Sequence, residues 1–155
     1  MKFTSRHDVE APIAFVFAQM TDFAALERQA MHRGADVQRI DKLNGAGTGM
    51  MWDAQFKLRG KRRQLRLELT DLDPPNGLAM TSQSANLDGR VVADLVALSR
   101  DSTRVTMAFE LRPRTLPGKL LVQSLKLARR SLSRRIDERL TAFFDDIAGR
   151  YAAGG

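Results

Sequence analysis

The sequence predicts an α+β fold in which a curved antiparallel sheet of about six or seven strands wraps around a long C-terminal helix, with two short helices after the first strand. Three observations carry this. From Thr48 to Leu111 most of the chain alternates apolar and polar residues, the period of strands with one covered face. The connections between these runs are hairpin-length, which makes neighbouring strands antiparallel. From Leu116 to Tyr151 the steps change to three and four. Leu121, Leu125, Ala128, Leu132, Ile136, Leu140, Phe143 and Ile147 then fall on one stripe of a single long helix. Such a stripe needs a cover, and the apolar face of the sheet supplies it.

Taken in order, Lys2 to Val9 reads as a strand with Phe3, Ser5, His7 and Val9 on one side. Pro12 suits a first helical turn, and Ile13, Val16, Phe17 and Met20 give that helix its apolar face. Thr21 or Asp22 can cap a second helix carrying Phe23, Leu26 and Ala30, which Gly34 ends. Val37 and Ile40 mark a strand, and Asn44 to Gly47 a turn. Thr48 to Leu58 turns Met50, Trp52, Ala54, Phe56 and Leu58 one way. After a tip at Arg59-Gly60-Lys61, the return strand to Leu72 turns Arg63, Leu65, Leu67 and Leu69 inward. Asp73 to Gly77 is the strongest turn signal. Leu78, Met80, Ser82 and Ser84 form a weaker inner row, and Asp88-Gly89 is read as the next turn. Arg90 to Leu98 is apolar on both faces, so its inner face is open. Thr103 to Leu111 turns Val105, Met107, Phe109 and Leu111 inward. Pro113 ends it, and Thr115 or Leu116 would cap the terminal helix.

The 155 residues fit one domain, 1–155, with one core and no internal repeat or linker. No apolar run is long enough to span a bilayer, and the N-terminus lacks a signal-peptide pattern. The chain has no cysteine, which excludes disulfides and thiolate-bound metals, and a cytoplasmic location is expected. The net charge is +7. Its excess gathers at Lys57, Arg59, Lys61, Arg62, Arg63 and Arg66, and along the terminal helix. Aromatic residues do not interleave with these bases, which argues against nucleic acid. On the helix, Lys126, Arg130 and Arg134 recur every four residues, flanked by Leu120 and Leu127, where an anionic membrane surface could dock. No pattern specifies an oligomeric state.

Two stretches carry a resemblance. Val9-Glu10-Ala11-Pro12-Ile13-Ala14-Phe15-Val16-Phe17 with Thr21-Asp22 resembles the start of SRPBCC proteins, the START-like superfamily. So does Ser102-Thr103-Arg104-Val105-Thr106, followed by Arg112-Pro113 and a leucine- and arginine-rich terminal helix. The likeness is to the polyketide cyclase/dehydrase-like branch and covers nearly the whole chain. It implies the helix-grip fold with a hydrophobic cavity between sheet and terminal helix. It does not imply one activity, since lipid carriers, hormone receptors, aromatase/cyclases and coenzyme Q-binding proteins all share it.

The inward rows nominate a ligand-binding wall of Met50, Trp52, Phe56, Leu67, Leu69, Met80, Ser82, Met107 and Phe109 from the sheet, with Leu125, Leu132 and Ile136 from the helix. The competing reading is that these side chains pack on one another. Arg139 interrupts the helical stripe, and Arg63 stands on an inner row. A buried guanidinium needs an acid, water or an anionic ligand, so both are expected to orient a polar group of a ligand, unless their stems carry the charge to the rim. Asp53, Asp71 and Asp94 are the acids that might pair with Arg139. Catalysis has weak support. His7 and His32 fall in no metal spacing, and no nucleophile elbow, phosphate loop or dinucleotide fingerprint is present, so no cofactor is expected. The expected function is non-catalytic binding or carriage of a hydrophobic small molecule or lipid. The alternatives are a cofactor-free polyketide cyclase or aromatase, and a basic module for an anionic membrane or RNA.

Overall fold

A computed structural model of the chain describes residues 1–58 and 60–154. β1 (Lys2–Val9) leads into α1 (Ile13–Met20) and α2 (Phe23–His32). Then come β2 (Asp36–Arg39), β3 (Met51–Leu58), β4 (Lys61–Asp73), β5 (Gly77–Gln83), β6 (Leu87–Ser99) and β7 (Ser102–Pro113). α3 (Leu116–Leu127) and α4 (Arg129–Ala152) close the chain. Arg59, expected at a hairpin tip and in the basic cluster, lies outside the described residues. The strands form one seven-stranded sheet in the order β1-β7-β6-β5-β4-β3-β2, antiparallel throughout.

Local chemistry sets the element ends. Asp22 accepts a hydrogen bond from Ala25 N at 3.2 Å and caps α2, while Gly34 takes φ +91° just beyond it. Thr115 Oγ1 accepts from Gly118 N at 3.2 Å and caps α3, with Pro117 in its first turn.

Inner rows of the sheet follow its register. One runs Leu69, Met80, Val91, Phe109, Phe3; the next runs Leu78, Ala93, Met107, Ser5. These rows bury two apolar clusters. The first joins Val9, Val16, Phe17, Leu95 and Val105 to Phe144 and Ile147 of α4. The second joins Phe23 of α2 to Met50, Trp52 and Leu69. Leu72 packs against both, because a bulge between Leu69 and Asp71 returns it to the inner face.

Three sequence expectations change. In β6, Ala93 and Leu95 are buried while Asp94, Val96 and Leu98 are exposed, which fixes the face left open. The turn expected at Asp88-Gly89 lies earlier, at Ser84–Asn86, where Ser84 N–H bonds to Leu87 O at 2.9 Å. Gly89 belongs to β6 instead: a Cβ there would overlap Ser82 Oγ, so glycine serves close packing and not a turn. The terminal helix, expected to be continuous, divides at Ala128. There Ala128 N–H bonds to Leu125 O at 3.1 Å, and the tightened turn ends α3. Neither glycine nor proline stands at this point, so the break has no sequence signal.

Candidate functional site

α3 is held away from the middle of the sheet by its first turn. Thr115 Oγ1 donates to Asn86 Oδ1 at 2.8 Å, and Arg114 N–H bonds to Asn86 O at 2.8 Å. A Cβ on Gly118 would overlap the Asn86 carbonyl, so only glycine lets the helix sit this close to the β5–β6 turn. From that staple α3 runs along β7, and a cleft of about 460 Å³ opens between it and the far ends of β3 to β6. Its size suits a small apolar ligand.

Leu121 and Leu125 of α3 form one wall; Leu58, Leu65 and Phe56 form the other. The floor includes Ser82, Leu87 and Leu111. Ser82 lies opposite Gly89 in register, and the missing side chain there keeps the floor low. Lys61, Arg62 and Arg63 stand at the hairpin end, with Gln64 beside them. Arg62 turns outward and donates to Asp36 Oδ2 at 2.7 Å and Gln55 Oε1 at 2.9 Å. Arg63 is half-buried, and its Nε reaches Leu58 O at 3.4 Å. Among the described residues Arg63 has no acidic partner, and none of those lining the cleft carries a carboxylate or an imidazole. The site is apolar inside and cationic at one end.

The residues named from sequence divide between this cleft and the core. Phe56, Arg63, Ser82 and Leu125 line the cleft. Met50, Trp52 and Leu69 are buried, with Leu67 and Met80 packed against them under α2. Trp52 Nε1 donates to Glu27 Oε1 at 2.7 Å, so its polar handle is satisfied inside the fold. Met107 and Phe109 belong to the cluster under α1 and α4. Leu132 and Ile136 are half-buried on α4. Arg139 is exposed, contrary to the inward expectation. It follows Leu132 by seven residues, which at ~100° per residue sets it ~20° from Leu132, on the side away from Leu140. The buried face is centred nearer Leu140 and Ile147, so Arg139 falls on its flank. Asp71 and Asp94 are exposed too, and Asp53 pairs with Arg66 at 3.4 Å. Leu58, Leu65 and Leu111, on the inward rows of the sheet, and Leu121, on the helical stripe, line the cleft as well. The signal that would have found them is their distance from α2 along those rows.

A polar cluster lies elsewhere, between β1 and α4. Ser5 Oγ donates to Asp137 Oδ1 at 2.5 Å. Its single proton is thereby used, so it accepts from His7 Nε2 at 2.6 Å. The His7 ring lies 5.1 Å from that of Phe144. Burial pushes the His7 pKa below its ordinary value of 6.5, against the opposing pull of Asp137 and Asp145. These groups are outside the cleft and act as a polar clamp on α4.

Residues 1–146 match the family model described as polyketide cyclase/dehydrase and lipid transport. No curated protein sequence matches the chain. Among solved structures, the Zhui aromatase/cyclase from Streptomyces sp. R1128 superposes with a TM-score of 0.70 at 15% identity, over 100% of this chain and 98% of that one. A conserved protein from Geobacillus kaustophilus gives 0.68 at 15% identity, over 99% and 96%. A START superfamily protein from Mycobacterium smegmatis gives 0.58 at 13% identity, over 88% and 97%. Identities this low establish the fold alone. The match of the family model over almost the whole length, together with the sheet that grips a C-terminal helix, makes the chain a member of the polyketide cyclase/dehydrase and lipid transport family with the START-like helix-grip fold.

Proposed function

We propose that the cleft beneath α3 binds a hydrophobic small molecule or lipid carrying an anionic or strongly polar head, and that the chain is a non-catalytic binding or carrier protein of the cytoplasm. The observation that carries this reading is Arg63, a half-buried arginine that has no acid partner among the described residues and stands at the cationic end of an apolar cleft. A charge held there without a counter-ion is costly, and an anionic head would offset that cost. The aliphatic walls suit a chain or ring system behind the head. Carriage is favoured over cyclisation or dehydration because the described lining has no carboxylate or imidazole to move a proton.

Titration with cis-parinaric acid, a fluorescent fatty acid, tests this. The wild-type chain is expected to enhance its fluorescence saturably. Leu121→Trp, which fills the cleft, should abolish the signal. Arg63→Gln should weaken affinity about tenfold, equivalent to about 1.4 kcal/mol. Unchanged affinity in both variants, with the circular dichroism spectrum intact, would overturn the assignment of the cleft. A native mass spectrum showing a co-purified compound that the protein then converts would replace carriage with cyclase-type catalysis.

A further inference from the structure

The outer face of α3 is not used by the cleft or the core. Leu116, Leu120 and Leu127 are 70%, 59% and 93% exposed. At ~100° per residue they fall within an arc of ~40°, one stripe along the helix. Lys119 and Lys126 run beside that stripe and Arg130 follows at the start of α4; all three are exposed, and among the described residues none of their side chains takes a hydrogen bond or an ion pair. The opposite face holds Val122 and Leu125, both buried. Between Glu110 and Asp137 the sequence has eight lysines and arginines and no acid.

We propose that this face docks α3 on an anionic phospholipid surface, with the three leucines in the headgroup–acyl boundary and the bases among the headgroups. This goes beyond the cleft assignment and does not depend on it. Charge complementarity selects the occupant. A second copy would bring the same bases together with no acid in the face to meet them, and like charges so placed repel. RNA would be met by aliphatic side chains and not by stacking rings. An aliphatic stripe flanked by lysine and arginine is the pattern of helices that lie in a membrane interface. Because Leu121 and Leu125 wall the cleft from the other side of the same helix, docking sets the cleft beside the bilayer.

Co-sedimentation with vesicles tests this, using phosphatidylcholine alone or phosphatidylcholine mixed with phosphatidylserine. The chain is expected to pellet with the mixed vesicles only, and to release as salt rises. The pair Lys119→Glu with Lys126→Glu should lower the bound fraction at least about tenfold. The pair Leu120→Ser with Leu127→Ser should do the same while leaving parinaric acid binding unchanged, since both positions are exposed and outside the cleft. Four results would overturn the proposal: equal binding to both vesicle types, no binding to either, variants that bind as well as wild type, or a leucine-dependent dimer or salt-sensitive RNA complex in place of vesicle binding. A wild-type chain that binds parinaric acid but no vesicles marks failure here and not of the cleft.

Discussion

α3 and α4 are two halves of one amphipathic run, yet they serve the fold differently. α4 lays Leu140, Phe143, Phe144 and Ile147 into the core beside β1 and α1, and its polar flank is clamped by Ser5 and His7. α3 buries only Gly118, Val122 and Leu125 and leaves three leucines in solvent. The difference lies in what each half faces. α4 meets a filled core, whereas α3 spans a cleft and is fixed chiefly at its first turn. Hydrophobic residues at helical spacing therefore mean stability in one half and access in the other.

The contrast can be broken at its strongest point first. Ile147→Ala should cost about 3 kcal/mol, the range for a buried aliphatic truncated in a packed core, whereas Leu127→Ala should stay within about 0.5 kcal/mol. Comparable losses in urea unfolding would erase the distinction between the halves. Gly118→Val comes next. Overlap with the Asn86 carbonyl should cost about 1–3 kcal/mol and should raise hydrogen exchange in α3 ahead of α4. Uniform exchange would mean that the first turn is not the anchor. The smallest effect concerns the clamp on α4. The His7 pKa is depressed on folding, so folding disfavours the charged ring. Stability should be full above pH 6.5 and fall as pH drops through the folded value, and His7→Gln should flatten that slope. An unchanged slope in thermal melts at successive pH values would remove His7 from the clamp.

Much of the architecture was legible from the chain. The period-two rows and the capping signals at Asp22 and Thr115 act over a few residues, and local patterns report them well. Asp88-Gly89 suggests a turn, whereas the glycine answers to Ser82 on the next strand, a contact set by register. The break at Ala128 has no local breaker and arises where two halves of a helix meet different surroundings. Arg139 was misplaced through small angular arithmetic: a seven-residue step keeps a residue near Leu132 but not near the centre of the stripe. Arg63, expected on an inner row, is half-buried and lines the cleft. Which apolar residues form core and which form cleft depends on where α2 and α3 cross the sheet, and no single strand records that.

The pairing of β1 with β7 has a consequence in time. Lys2 lies opposite Glu110 and Val9 opposite Thr103, so among the described residues the first strand pairs with the last strand alone. During synthesis β1 must wait, unpaired, while the remaining strands emerge, and it joins the sheet only when a loop of roughly a hundred residues closes. The helix that covers β1 arrives later still. A nascent chain stalled before Ser102 would hold the growing meander without its first strand, and Phe3, Ser5, His7 and Val9 would meet solvent or a chaperone first.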